Sequence, residues 1–320
     1  MSANSINQFF NSSVILALKD LNFRVNQEGL NPRICGLLDD TVLEGGKRLR
    51  PLLTLAMCEV FGLSLDQGVD LALDIERIHA ATLAHDDVVD AATLRRGRPS
   101  INYAGSNKKA ILAGDYLLAQ VMKAACVRGD IRIIGALSDV IADLVEGEWI
   151  QIENSASQEL SRKNVELVAE KKTGSVLSWC CYTPAMAAGV SHDIISLIKD
   201  FGFKLGLIFQ LGDDILDFRR QDGGACADLK NLVVSSIIYE ILRVRQGKHL
   251  VDATLMQDQE LLAGEIEQAV AVVRRRMHYL VEESIQLWRE IKVRLEKSGT
   301  SVGKASAGVE ALVKYLANRV

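Results

Sequence analysis

Apolar residues recur along this chain at spacings of three and four, with polar residues filling the intervals. Leu71, Ile75, Ile78, Thr82 and His85 form one such series, the signature of a single helix face. Windows rich in Ala, Leu, Ile, Glu and Lys are long, and prolines occur only at 32, 51, 99 and 184, so helix breakers are scarce. The pattern predicts helices at about residues 7–25, 33–43, 48–61, 68–91, 106–128, 132–154, 160–190, 192–218, 229–246, 259–296 and 302–318. No stretch alternates with period two, so essentially no sheet is expected. No Gly- or Ser-rich linker divides the chain. The expected fold is all-α, one large helical bundle forming a single domain over residues 1–320. The segment QDGGACA, Gln221 to Ala227, reads as a flexible loop.

Composition narrows the function. With 48% hydrophobic and 24% charged residues over 320 positions, the chain can build a large core. The net charge of -4 supplies no basic excess to neutralise phosphate backbones, so no nucleic-acid partner is expected. The six cysteines, at 35, 58, 126, 180, 181 and 226, include no CxxC pair, which argues against zinc or redox motifs. They read as mostly buried free thiols in a reducing cytoplasm. The polar start, Met1 to Gln8, lacks a basic region followed by an apolar core, so no signal peptide is expected. The longest uncharged stretch, Thr173 to Ser191, is broken by Gly174, Pro184 and Gly189, so no transmembrane span is expected.

Two short acidic runs change the picture most. They are His85-Asp86-Asp87-Val88-Val89-Asp90 and Gly212-Asp213-Asp214-Ile215-Leu216-Asp217. Each puts carboxylates at i and i+4, on one helix face. Each is embedded in apolar sequence, where uncompensated negative charge is costly, and each falls near a predicted helix C-terminus, where the macrodipole disfavours anions. One run alone is compatible with a solvated helix face. Two copies point to a site for hard divalent cations, and Mg²⁺ fits oxygen donors of this kind. Basic residues gather in Gly45-Gly46-Lys47-Arg48-Leu49-Arg50-Pro51, in Arg95-Arg96-Gly97-Arg98-Pro99 and at Lys171-Lys172. Carboxylates, divalent cations and such basic groups together suit a diphosphate.

Taken as a set, GGKRLRP at 45–51, IERIHAATLAHDDVVD at 75–90, RRG at 95–97, KT at 172–173 and FQLGDDILDF at 209–218 resemble the trans-prenyltransferase (polyprenyl diphosphate synthase) family in order and spacing, over about residues 30 to 245. The resemblance implies the all-helical isoprenoid synthase fold with a deep central cavity, in a homodimer. It implies that Asp86, Asp90 and Asp213 bind Mg²⁺ and an allylic prenyl diphosphate, with Asp87, Asp214 and Asp217 supporting. Arg95, Lys172, Thr173 and Gln210 would face that diphosphate. Isopentenyl diphosphate would lie near Lys47, Arg50, His79 and Arg96. The implied chemistry is ionisation, condensation and proton loss, with Asp86, Asp90, Asp213, Lys172 and Arg95 as the catalytic set. Ala81 and Thr82 occupy the positions that help set product length in this family. Both are small, which implies a long-chain product and a shorter one from Ala81→Phe.

One segment departs from the family pattern. After the second acidic run, Asp228 and Leu229 match, but Val233 stands where a lysine is usual, and an earlier lysine is replaced around Gly224 or Ala225. Arg219, Arg220 or Lys230 could compensate. The alternative is a weakly active or non-catalytic subunit of a heteromeric synthase. A class I terpene cyclase is less favoured, because it has no use for the basic motif at 45–51. The remaining conspicuous residues read blandly. Arg48, Arg98 and Arg274 to Arg276 read as solvated, Glu146 and Glu148 as exposed, and Lys171 as a surface neighbour. Met122, Trp149, Cys180 and Cys181 read as packed, and His85 as structural.

Overall fold

The computed structural model describes residues 8–10, 12–25, 31–219, 234–256, 262–300 and 302–320. The expected loop at 221–227, Cys226, Arg220, Asp228 to Val233 and residues 259–261 lie outside the described residues. The chain divides into two compact units: residues 1–138 with 183–190 and 303–306, and residues 139–182 with 191–302 and 307–320.

The helices are α1 (Ser12–Asp20), α2 (Pro32–Asp40), α3 (Leu49–Val60), α4 (Leu65–Val89), α5 (Ile101–Ala104), α6 (Asn107–Arg128), α7 (Ile131–Ser155), α8 (Arg162–Ala169), α9 (Ser175–Ala187), α10 (His192–Arg219), α11 (Ser236–Gln246), α12 (Ala263–Lys297) and α13 (Ala305–Asn318). Local chemistry sets several of their ends. Asn31 caps α2 by accepting from Arg33 N, and Pro32 occupies its first turn. A capping box opens α4: Ser64 Oγ accepts from Gln67 N at 3.3 Å while Gln67 Oε1 accepts from Ser64 N at 3.2 Å. Such reciprocal caps satisfy donors the first turn leaves open. Gly129 ends α6 at φ 78°, a left-handed conformation that costs glycine little.

Three expectations are corrected. Of the predicted helix at 7–25, the described residues are helical from Ser12 to Asp20. Beyond it, the N–H of Val25 donates to the buried Asp39 Oδ1 at 3.0 Å, so a side chain takes a donor that a longer helix would have used. The predicted helix at 160–190 contains a π-helical turn at Glu170–Gly174. A two-stranded antiparallel hairpin, β1 (Leu94–Arg95) and β2 (Arg98–Pro99), pairs Arg95 with Arg98. An isolated bridge also joins Leu160 and Val251.

In the first unit, α4 packs against α3 and α6. A buried cluster there includes Cys35, Leu38, Ala81, Ala84, Ile101, Ala110, Ala113 and Leu117. α6 is long and apolar enough to cross a bilayer by length and composition, though Ala110, Ala113, Leu117, Val121 and Ala125 are buried within the protein. In the second unit, α10 packs along α12 and against the π-turn. Phe201 and Trp288 meet with ring centroids 5.0 Å apart. A Cβ added at Gly206 would lie 2.4 Å from Gly174 Cα. Glycine is therefore required where α10 crosses the π-turn. Cys180 and Cys181 are fully buried, as expected, whereas Trp149 is 66% exposed instead of packed.

Candidate functional site

The first acidic run ends α4. Asp90 is its C-cap residue and donates its N–H to Asp86 O at 2.8 Å, so Asp86 and Asp90 sit one turn apart at the negative end of the helix. Asp87 behaves differently. Its side chain is fully buried and accepts from Arg95 Nε at 2.7 Å, from Arg95 Nη2 at 2.6 Å and from the N–H of Ile101 at 3.3 Å. It fastens β1 and the start of α5 to α4, and it holds Arg95 in place. The supporting role expected of Asp87 is thus structural anchorage, and Arg95 already has a carboxylate partner.

Next to this run, three non-glycine residues adopt left-handed backbone: Arg48 at φ 52°, Ala91 at 48° and Arg96 at 52°. Each such conformation costs about 1 kcal/mol or more and tends to gather at functional sites. Arg96 lies over the glycine turn, donating to Glu44 O at 2.9 Å. A Cβ at Gly46 would come within 3.1 Å of its guanidinium. Arg48 is not solvated as expected. It donates to the buried Glu76 Oε1 at 2.5 Å and to Leu43 O at 2.5 Å, and its guanidinium sits 4.0 Å over the Phe23 ring. That grip fixes the turn presenting Lys47, which is exposed, and Arg50, whose buried Nε has no hydrogen-bond partner. A buried, unpaired guanidinium donor is costly and calls for an acceptor. Arg98 remains solvated, with a side chain 62% exposed.

His79 belongs to the same cluster. Enclosure by protein, then the positive charges of Arg50, Arg96, Arg95 and Arg48, hold its imidazole well below the usual histidine pKa, so it is neutral at pH 7. Partial burial pushes the Arg96 guanidinium down, opposed by Glu76 and reinforced by Arg48, Arg95 and Arg50. Arg48, Arg50, Arg95 and Arg96 therefore form one positively charged neighbourhood around neutral His79 in the first unit, with Lys47 beside Arg48 in the chain. Of the pair expected to influence product length, Ala81 is enclosed in the buried apolar cluster. Thr82 is half-buried and donates its hydroxyl to His79 O at 2.9 Å. His85 is structural: its Nε2 lies 3.2 Å from Ile111 O and 3.3 Å from Asp115, in a space where a Cβ at Gly114 would clash at 2.4 Å.

In the second unit, the second aspartate of the other run is again withdrawn. Asp214 is buried, accepting from Gln210 Nε2 at 2.9 Å and from the N–H of Ser236 at 3.0 Å. Burial raises its pKa above the usual carboxylate value, against the hydrogen bonds from Gln210 and Ser236. Gln210 in turn accepts from Thr173 Oγ1 at 2.9 Å. Three expected residues, Thr173, Gln210 and Asp214, thus lie along one hydrogen-bonded path, with Asp213 next to Asp214 in the chain and Asp217 one turn beyond Asp213. Lys172, in the π-turn, donates to Glu148 and, at 3.1 Å, to Gln151. Glu148 is therefore engaged and only partly exposed, a correction, while Lys171 bonds Asp143 and Glu146 at 2.6 Å each.

Asp213 pairs with a residue the sequence did not single out. Arg319 Nη1 lies 2.9 Å from Asp213 Oδ1, and the Arg319 side chain is 3% exposed. The available clue was Gly212, where a Cβ would press to 2.9 Å from that guanidinium.

Among the described residues, no three carboxylate, imidazole or thiol side chains gather closely enough to cage a metal ion. Within each unit the carboxylates one turn apart, Asp86 with Asp90 and Asp213 with Asp217, are oxygen donors of the kind that fit Mg²⁺, which usually keeps several waters and takes one or two carboxylates together with substrate phosphates.

Known proteins resemble this chain throughout. The decaprenyl-diphosphate synthase of Dictyostelium discoideum is 39% identical over 177 residues, 54% of this chain and 38% of that protein. Heptaprenyl diphosphate synthase component 2 of Geobacillus stearothermophilus is 36% identical over 174 residues, 54% of each chain. The matches thus span about half the length, or less, of these curated relatives. The crystal structure of a decaprenyl diphosphate synthase from Rhodobacter capsulatus superposes with a TM-score of 0.78 at 26% identity, covering 100% of this chain and 99% of the other. The fold is that of the isoprenoid synthases. The model of the Polyprenyl synthetase family matches residues 31–273, and the chain belongs to that family.

Proposed function

We propose that the chain is a Mg²⁺-dependent prenyltransferase, condensing isopentenyl diphosphate with an allylic prenyl diphosphate such as farnesyl diphosphate to make a longer trans-polyprenyl diphosphate. One observation carries this reading. Each acidic run turns its second aspartate inward and carries its other two, Asp86 and Asp90 or Asp213 and Asp217, one helical turn apart on one face, the spacing of carboxylates that suits a phosphate-bound cation. The orphaned Arg50 Nε beside neutral His79 supports the second half, a subsite for the isopentenyl diphosphate group also served by Lys47 and Arg96.

Bound Mg²⁺ would neutralise charge on the leaving diphosphate. Arg95 and Lys172 add fixed positive charge around that group, and Gln210 and Thr173 orient it. Lys47, Arg50 and Arg96 hold the other diphosphate, so that the isopentenyl double bond meets the allylic carbon as its C–O bond breaks. The proton lost afterwards passes to the released diphosphate. An enclosed apolar cavity, expected of this fold, keeps water from capturing the carbocation. In this reading the two units work as one catalytic domain in a cytoplasmic protein.

Homodimerisation is part of the proposal. α7 exposes Val145 at 63%, Trp149 at 66% and Ile152 at 55%, an apolar face at helical spacing that suits a second copy. The same face suits a different partner chain. A second reading follows from Val233 and from the Geobacillus relative, whose name describes one component of a synthase: a weakly active or non-catalytic subunit. Incubating the purified chain alone with farnesyl diphosphate, labelled isopentenyl diphosphate and Mg²⁺ separates them. Long-chain product supports the first reading. Product appearing only on addition of a partner chain supports the second.

A further inference from the structure

We propose that Arg319 is a positioning residue for the second acidic run, fixing the Asp213 carboxylate in the orientation that takes up the diphosphate-bound cation. This rests on the proposed role of Asp213. The guanidinium is held from several sides, all within the second unit. Nε donates to Leu316 O at 3.2 Å, Nη2 donates to Phe209 O at 2.5 Å, and the group lies 4.3 Å over the Phe209 ring. Nη1 then meets Asp213 Oδ1 at 2.9 Å. Phe209 is one turn before Asp213 on α10, so Arg319 spans the turn that carries the carboxylate. Its planar fork suits such multiple fixed contacts better than a lysine would.

A guanidinium so enclosed does not swing toward a substrate; its bonds to two carbonyls hold it whether or not Asp213 is engaged elsewhere. What it can do is immobilise one carboxylate oxygen and lower the entropy lost when Asp213 binds a cation. Outer-shell partners of metal-binding carboxylates typically change metal affinity about 10–100-fold when removed. Gly212 belongs to the same device, because any larger residue there would push the guanidinium away.

The test is calorimetric binding of inorganic pyrophosphate to the purified chain as a function of Mg²⁺ concentration, well below the unfolding temperature. Arg319→Met is expected to raise the Mg²⁺ concentration for half-maximal binding about 10-fold or more. Arg319→Lys, which keeps one donor and the charge, is expected to fall between that variant and wild type. It carries the test if Arg319→Met does not fold. A merely structural arginine would lower the melting temperature and leave the Mg²⁺ midpoint within about twofold of wild type, and that result overturns the inference. Asp213→Ala serves as reference. If it too leaves the midpoint unchanged, or if wild type binds no pyrophosphate with Mg²⁺, the proposed role of Asp213 fails and the inference falls with it.

Discussion

The two acidic runs share a sequence pattern and one structural habit, yet their charges are balanced in opposite ways. In the first, the buried aspartate Asp87 is matched by a full cation, Arg95, and the run is followed directly by a basic hairpin. In the second, the donors to the buried aspartate Asp214 among the described residues are neutral, Gln210 and Ser236, while a cation sits on Asp213. Val233, and Gly224 or Ala225, stand where the family resemblance leads one to expect lysines after the second run. Similar motifs can therefore carry unequal electrostatic support, and in the second run Arg319 is paired with Asp213.

That contrast can be broken in graded ways. Removing divalent cations with a chelator is expected to lower turnover by on the order of 10³-fold or more, read from product formation and restored by Mg²⁺. Next in size, Arg95→Met strands a fully buried Asp87 carboxylate, and about 3–5 kcal/mol of stability should be lost in urea unfolding. Gln210→Met removes a neutral donor from Asp214, and the loss should be nearer about 1–3 kcal/mol. Equal losses in the two variants would show that the runs are compensated alike.

Ala81 and Thr82, expected to influence product length, give a smaller effect with two readouts. Ala81 is enclosed among helices, so Ala81→Phe should cost about 1–3 kcal/mol by overpacking, along with any change in product. Thr82→Phe should shorten the product with less loss of stability, and an unchanged chain-length distribution in Thr82→Phe would refute the expected role of the small residues at 81 and 82.

The smallest effect concerns pH. The folded-state pKa of His79 lies below its ordinary value of 6.5. Below that pH the unfolded chain gains a proton that the folded chain resists, so stability should fall as pH drops through 6.5. His79→Gln should flatten this acid limb by at most one proton in unfolding curves between pH 5 and 7.5, an interval set by that pKa.

Much of this was legible in the residues. Periodicity located the helices, while the side-chain caps at Asn31 and Ser64 set where α2 and α4 begin. What it could not convey was which face meets protein and which meets solvent or a partner. Trp149 has the spacing of a core residue and is exposed, because apolar periodicity marks a sticky face without naming what covers it. Arg48 sits in a glycine-rich basic turn that reads as surface. A left-handed backbone turns it inward, onto Glu76 and Phe23, and no local pattern announces that contact. The π-turn at 170–174 uses ordinary helical residues, so only its packing against Gly206 explains it. Asp87 and Asp214 were grouped with their neighbours because spacing shows a shared motif but not which member turns inward. Arg319 lies more than 100 positions from Asp213, and long-range pairing of that kind leaves no trace beyond the small residue at 212.

Joint action of the two runs is the central claim, and turnover of farnesyl and isopentenyl diphosphates by Asp86→Ala, Asp213→Ala and the double variant tests it most directly. Residues acting as one unit are strongly non-additive. Each single variant is therefore expected to lose nearly as much activity as the double. Independent losses that multiply in the double variant, or substantial activity in either single variant, would contradict it.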